Sequence, residues 1–276
     1  MIVSSLTNGF GNNLFQCIAG KILAHYHNKE HYFIPETPDY ICTNYLKTLG
    51  FKELKNFSNE KFVLCNESNY QNCFDKNLAN YNILLKGYFE NKDYYTENRS
   101  LIKSWFPKLE KNNSKDLVLH LRTGDRLFYK NEFDFKPGPK SFERAMSNFD
   151  FEKLYIVTDM YDWKKHTPES ISSLNFHVQV PNEKSVTNEK AAEYFNELYE
   201  FFSDYNPIIK SDNVLNDFNF IRGFDNILFQ HGTMSWWASF VSQASKVGVY
   251  GPWREWKGKS NKNLSNVDLE GWFKWD

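Results

Sequence analysis

Residues 117–126 read Leu-Val-Leu-His-Leu-Arg-Thr-Gly-Asp-Arg. The first five predict a β-strand, because a short apolar run that ends in polar residues is typical of a strand buried in a parallel sheet. The charged residues that follow are costly to bury together in a core, so we expect their loop to face a cleft. There Arg122 offers a planar fork of donors that can grip a phosphate at two points. The alternative is an arginine–aspartate pair that only closes the loop.

Strands and helices are predicted to alternate on both sides of this segment. We expect further strands at 2–6, 31–34, 83–85, 154–157, 176–180, 226–229 and 247–250. We expect a Gly/Asn loop over 7–13 that leads into a helix from Leu14, and later helices at 141–149, from 188, over 214–221, from 234 and over 267–275. The helix from 188 has Asn188 as its expected cap and one apolar stripe, formed by Ala191, Ala192, Phe195, Leu198, Tyr199 and Phe202.

Two successive series of this kind predict an α/β protein with two facing, doubly wound, Rossmann-like domains. The boundary is expected in the polar stretch 111–115, which has no apolar residue and is typical of a linker. We therefore predict one domain over 1–112 and a second over 113–276. The final helix is expected to be able to pack back on the first domain.

Composition excludes several classes of function. The 33 basic and 34 acidic residues give a formal charge of −1, so there is no overall charge that favours nucleic acid or an anionic membrane. No stretch approaches the roughly 18 consecutive apolar residues that span a bilayer. The 4 cysteines form no C-x-x-C pair, which disfavours a zinc site and favours free thiols in a reducing compartment, the cytoplasm.

Three more loops follow predicted strands, where open α/β sheets bind ligands. The loop over 8–13 has Gly9 and Gly11, and it is either a simple turn or an incomplete G-x-G-x-x-G fingerprint that has Leu14 at its last position. Asp159 follows Thr158 and is either a guanine or ribose contact or a helix cap. The segment 230–238 begins a helix with small and hydroxyl residues, a pattern that suits an anion.

Taken together, the motifs resemble the α-1,2-fucosyltransferase family, glycosyltransferase family 11, within the GDP-fucose-dependent superfamily. The last eight positions of the family's G-x-L-G-N-Q-L-F-Q segment correspond to residues 9–16, its G-Y-[WF]-Q segment to 87–90, H-x-R-R-G-D to 120–125, S-D to 158–159 and N-S-T-F-S-W-W-A to 231–238. The chain departs from these patterns at Thr123, which replaces the second arginine, at Asn13 and at His231.

The resemblance implies a GT-B glycosyltransferase fold, GDP-fucose as donor, no further cofactor, no metal, and inverting transfer to a glycan hydroxyl, with an α-1,2 linkage to a galactose-like residue. It assigns the diphosphate to Arg122, with His120 and Asp125 shaping the same loop. The other donor contacts it implies are Gly11, Asn12, Thr158, Asp159, Thr233 and Ser235. Domain 1–112 becomes the acceptor side and domain 113–276 the nucleotide-sugar side.

The residues themselves agree with a metal-free mechanism, because no two aspartates are separated by one residue, as in the D-x-D motif that commonly binds a divalent ion in glycosyltransferases. The base that accepts the acceptor's proton is expected to be Asp125, with Glu132 and Asp134 as alternatives. Other readings stay open. They are the same fold with another nucleotide-sugar donor, a carbohydrate- or nucleotide-binding protein without turnover, and a nicotinamide-dependent oxidoreductase, which explains only the first loop.

Overall fold

A computed structural model describes residues 1–36, 42–55, 61–110, 115–128, 136–160, 162–173, 186–230, 232–251 and 269–276. The described residues divide into two compact units, Met1–Lys108 and a second unit that begins at Leu109. Each unit contains one parallel sheet with helices. The predicted α/β class is therefore confirmed.

The first unit has a four-stranded parallel sheet in the order β2-β1-β4-β3. Its strands are β1 Ile2–Leu6, β2 His31–Pro35, β3 Phe62–Cys65 and β4 Asn82–Leu85. Its helices are Phe10–Tyr26, Cys42–Thr48, Asp93–Thr96 and Arg99–Ser104, with 3-10 turns at Gln71–Phe74 and Lys76–Asn80. The long helix Phe10–Tyr26 is buried over most of its residues and packs on β1 and β2.

The first helix begins earlier than the sequence predicts. Residues 10–13 were expected in a loop, but the helix starts at Phe10, so Gly11 and Asn12 lie in its first turn. Asn13 stabilises this start, because its backbone N–H donates to the Gly9 carbonyl at 3.0 Å and its side-chain amide donates to the Thr7 carbonyl at 2.8 Å. The asparagines that suggested a loop thus supply the bonds that wind the helix.

The second unit has a six-stranded parallel sheet in the order β10-β9-β8-β5-β6-β7. Its strands are β5 Asp116–Leu121, β6 Lys153–Thr158, β7 Ile208–Lys210, β8 Asn226–Phe229, β9 Lys246–Tyr250 and β10 Trp272–Trp275. Its helices are Pro139–Met146, Pro168–Ser172, Asn188–Ser203, Val214–Arg222 and Thr233–Val241, and a 3-10 turn spans Asp125–Phe128. Counted from β5, the order is 3-2-1-4-5-6, the order of Rossmann domains.

Most predicted elements of the second unit are confirmed to within a few residues. The strands expected at 117–121, 154–157, 226–229 and 247–250 are β5, β6, β8 and β9. The cap of the helix Asn188–Ser203 is Thr187 and not Asn188, since the Thr187 hydroxyl accepts the Lys190 N–H at 3.4 Å. The strand expected at 176–180 and residues 111–114 of the expected linker lie outside the described residues.

The predicted C-terminal helix is wrong over its described part. Residues Trp272–Trp275 form β10, which pairs in parallel with β9. Gly271 has φ +87°, which no helix continues through, and the aromatic residues after it favour a strand. Trp275 packs its ring on Phe142 at 5.1 Å and on Tyr250 at 4.7 Å, so the segment completes the second sheet. Within the described residues, no helix has both the length and the apolar character needed to cross a membrane.

Candidate functional site

The strand order of the second sheet creates a point where the connections diverge. From β5 the chain builds β6 and β7 on one side, and it then returns to build β8, β9 and β10 on the other side. The loops that leave β5 and β8 therefore separate at the carboxyl edge, and this is where sheets of this order bind ligands. Arg122 follows β5, and Gln230 follows β8.

Arg122 is anchored through its backbone to the neighbouring loop. Its N–H donates to the Oε1 atom of Gln230 at 3.1 Å, and its side chain is partly exposed. Gln230 is only 2% exposed. Gln230 was not among the residues predicted for the site, although an amide that ends an apolar strand is a signal that a backbone group needs a partner there.

Asp159 braces the same loop from the other side. Its Oδ1 atom accepts the backbone N–H groups of Thr123 and Gly124, both at 2.9 Å. A side-chain Cβ on Gly124 would lie 2.3 Å from the Oδ2 atom of Asp159, so any larger residue at this position would displace the carboxylate. The Oδ2 atom is buried and has no hydrogen-bond partner among the described residues. One oxygen of Asp159 thus binds the loop, and the other accepts no hydrogen bond from the described residues.

The two threonines of this region lie inside the unit. Thr123 and Thr158 are each 1% exposed, and their hydroxyl oxygens are 3.3 Å apart. The Thr158 hydroxyl also accepts the N–H of Met160 at 3.2 Å. Thr123, which stands where the resembling family has an arginine, fills a buried position where a charged side chain would have to be desolvated.

His120 lies beneath the loop and carries no charge at neutral pH. It is 4% exposed, and burial lowers its pKa to about 4, an effect that the Arg122 charge increases and the Asp159 charge opposes. Its Nδ1 atom has no hydrogen-bond partner within the described part of the chain. A neutral, buried imidazole adds no positive charge that could neutralise an anion.

The helix Thr233–Val241 begins beside Arg122. Gly232, before the helix, has φ +138°, and a Cβ there would lie 3.2 Å from Ser235 Oγ, 3.6 Å from His120 Cε1 and 3.9 Å from Arg122 Cδ. Ser235 is fully buried and donates its hydroxyl to the Gly232 carbonyl at 3.0 Å, a bond within the first turn of the helix. Thr233 is partly exposed at the start of the helix.

The structure brings several of the predicted site residues to one edge and leaves others elsewhere. His120, Arg122, Thr158, Asp159, Thr233 and Ser235 all lie at the carboxyl edge of the second sheet or at the helix start beside it. Gly11 and Asn12 belong to the first unit, where Gly11 is buried in its helix. The backbone of Asp125 starts a 3-10 turn, and its side chain, like residues Glu132, Asp134 and His231, lies outside the described residues.

Asp217 is a titratable residue that the sequence analysis missed. It sits on the buried side of the helix Val214–Arg222, and its two carboxylate oxygens accept the Asp212 N–H at 3.2 and 3.4 Å. Burial raises the pKa of Asp217 to about 7, with further increases from the nearby Asp212 and Asp159 carboxylates. An acid among the apolar residues of an otherwise amphipathic helix was the available signal.

In the described ranges, no group of three or more His, Cys, Asp and Glu side chains is placed to hold a metal ion. When the sequence is compared with known proteins, it matches no family model and no curated protein.

Proposed function

We propose that this protein is an inverting, metal-independent glycosyltransferase that moves L-fucose from GDP-fucose to a glycan hydroxyl, with O2 of a galactose-like residue as the acceptor atom. One observation carries the proposal. Arg122 lies at the divergence point of a sheet with Rossmann order, and its backbone is held there by Gln230 at 3.1 Å. This is the place where such a sheet receives a nucleotide.

The proposed role of Arg122 is to stabilise the leaving diphosphate. As the bond between the sugar's anomeric carbon and the phosphate oxygen breaks, negative charge develops on the β-phosphate. The Arg122 guanidinium supplies a fixed positive charge and two donors, and the start of the helix Thr233–Val241 adds its backbone N–H groups. His120, whose pKa is about 4, adds no positive charge at neutral pH. Arg122 therefore provides most of the positive charge that stabilises the diphosphate.

The nucleoside is assigned to Asp159. Its Oδ1 atom already accepts two backbone N–H groups, whereas Oδ2 has no partner among the described residues. A guanine edge or a ribose offers the donors that such an oxygen would accept. The acceptor hydroxyl attacks the anomeric carbon from the face opposite the diphosphate, and Asp125 is the proposed base for its proton.

A contact in the first unit supports the proposal, because it joins two of the segments that resemble the family's motifs. The motif segments 9–16 and 87–90 are distant in sequence, yet the side-chain amide of Gln16 donates to the Gly87 carbonyl at 3.0 Å. The two motif segments are thus hydrogen-bonded to each other at the edge of the first sheet. The proposal includes a GT-B enzyme with the acceptor on the first unit, and a cytoplasmic location on the evidence of the cysteine pattern.

The test is a donor screen with linkage determination. The protein is incubated with lactose and with GDP-fucose, GDP-mannose, UDP-galactose or NAD, and released nucleotide is measured. Of the four compounds, we expect only GDP-fucose to react and release its nucleotide. The expected product is an α-1,2-fucosylated lactose. GDP-sugar binding in calorimetry without release would indicate a binding protein, and the absence of any GDP binding would contradict the proposal.

A further inference from the structure

The strands β1 and β4 are neighbours in the first sheet and run parallel. The loops that follow them therefore lie side by side at the carboxyl edge, where open α/β sheets bind ligands. Asn8 follows β1, and Tyr88 follows β4.

A hydrogen bond joins these two loops at the surface. The Asn8 side-chain amide donates to the Tyr88 hydroxyl at 2.6 Å, across 80 positions of sequence. The Tyr88 side chain is one of the few large apolar groups that are well exposed in the described residues, at 41%. The bond fixes the ring without covering it, because it uses only the hydroxyl at the ring's edge.

The backbone around Tyr88 is held in an unfavourable conformation. Asn8 has φ +61°, Gly87 has φ +149°, and Phe89, which is fully buried, has φ +55°. The Oε1 atom of Glu67 accepts the N–H groups of Tyr88 at 2.5 Å and Phe89 at 3.2 Å, which keeps the loop in place. Left-handed backbone at bulky residues costs free energy and is concentrated at ligand sites.

The chemistry of this patch matches a neutral sugar. The C–H bonds on one face of a pyranose carry partial positive charge and stack on the negative face of an aromatic ring. The Tyr88 hydroxyl, which accepts from Asn8, still has its own proton to donate, and the Asn8 Oδ1 atom is an exposed acceptor. Both groups are uncharged, which suits sugar hydroxyls better than phosphates.

We propose that Tyr88 and Asn8 form a carbohydrate-binding platform on the first unit, with the Tyr88 ring beneath a pyranose of the acceptor glycan. The identification of this sugar as the acceptor rests on the proposed fucosyl transfer. Sugar binding at Tyr88 does not, because it follows from the geometry of the first unit alone.

The test measures lactose and GDP binding separately on the full chain. Saturation-transfer NMR gives the lactose Kd for wild type, Tyr88→Ala, Tyr88→Phe and Asn8→Gly, a change that keeps the positive φ. We expect Tyr88→Ala to weaken lactose binding at least about tenfold, and Tyr88→Phe and Asn8→Gly by about two- to tenfold. Calorimetric GDP affinity and thermal unfolding should not change.

Tyr81→Ala is the matched control, because Tyr81 is 55% exposed at the opposite, amino end of β4. We expect it to bind lactose as wild type does. Lactose binding that survives Tyr88→Ala, or no lactose binding by wild type, would overturn the platform. Loss of lactose binding in Tyr88→Ala alone supports it even if GDP-fucose is not a donor, whereas failed GDP binding in wild type contradicts only the proposed reaction.

Discussion

The backbone N–H of Arg122 donates to the side-chain Oε1 atom of Gln230 at 3.1 Å, and the two residues are 108 positions apart. This bond ties the loop after β5 to the loop after β8. Since Gln230 is only 2% exposed, water does not compete for its Oε1 atom, and this stabilises the hydrogen bond to Arg122. The backbone of Arg122 is thus held in place without a ligand, which in the proposed reaction lowers the reorganisation needed when charge develops.

Replacing Arg122 tests the assigned counter-charge directly. We expect Arg122→Ala to lower kcat/KM for GDP-fucose roughly 30- to 5,000-fold, because truncating a charge that the bound donor desolvates costs on the order of 2 to 5 kcal/mol. Arg122→Lys should recover little, since a point charge does not reproduce a two-point grip. The readout is GDP release at varied donor concentration.

The control for this prediction is Arg144→Ala. Arg144 is exposed and pairs with Asp276 at 2.9 Å, at the end of β10, which is the third strand from β5 in the sheet. It should retain wild-type kcat/KM. Full activity in Arg122→Ala would remove Arg122 from the reaction.

Gly124→Ala should weaken the hydrogen bonds by which Asp159, after β6, holds the loop after β5. An alanine Cβ would lie 2.3 Å from Asp159 Oδ2, so the carboxylate must move, and we expect this to weaken the two hydrogen bonds that its Oδ1 atom accepts. We expect a loss of about 2 kcal/mol or more in the free energy of unfolding. Urea denaturation followed by tryptophan fluorescence measures it.

Gly138→Ala is the comparison glycine, because it has φ −81° and a Cβ there meets nothing within 4 Å. Its cost should stay below about 1 kcal/mol, the range for a helix-cap change. Equal destabilisation by the two alanines would show that the Asp159 contact does not constrain position 124.

Asp217 predicts a pH dependence of stability. Its pKa is raised from 3.8 to about 7 in the folded state, so between these values the unfolded chain releases a proton that the folded chain keeps. The free energy of unfolding therefore falls as pH rises through this window, by about 4 kcal/mol as an upper limit that solvent screening reduces. Asp217→Asn should remove this fall.

Denaturation at pH 4.5 and pH 8 separates the two cases. We expect Asp217→Asn to match wild type at the lower pH and to exceed it by about 1 to 3 kcal/mol at the higher pH. Asp204→Asn, at an exposed residue that ends the helix Asn188–Ser203, is the control and should not abolish the fall in stability between the two pH values. A parallel pH profile for Asp217→Asn and wild type would refute the raised pKa.

Gln16→Leu should destabilise the first unit. The Gln16 amide accepts the Thr7 N–H and the Asn13 amide, both at 3.1 Å, and donates to the Gly87 carbonyl at 3.0 Å. Leucine is of similar size but removes the partner of the Thr7 N–H and of the Gly87 carbonyl, and one of the two acceptors of the Asn13 amide, at an expected cost of about 2 to 4 kcal/mol. Gln71→Leu, at an exposed position, should change stability by less than about 0.5 kcal/mol in the same denaturation experiment.

Sequence pattern predicted the strands of the second sheet that are long and apolar. β5 and β8 were located within a residue, because a fully buried strand must be apolar along its length. β10 was predicted as a helix, since Trp272–Trp275 is too short for a periodic signal and its strand conformation comes from pairing with β9. The three-residue strand β7 was missed for the same reason.

The chain's own order of residues was enough to place Arg122, Asp159 and Thr233 beside strand ends, since charge and hydroxyl groups that interrupt buried strands have to lie at an edge. It was not enough to distinguish residues that are placed to contact a ligand from residues that only stabilise the fold. The burial of Thr123, Thr158 and Ser235, the neutral state of His120 and the bond from Arg122 to Gln230 depend on strands brought together from distant positions. Desolvation and hydrogen bonding act between neighbours in space, and the linear pattern records only neighbours along the chain.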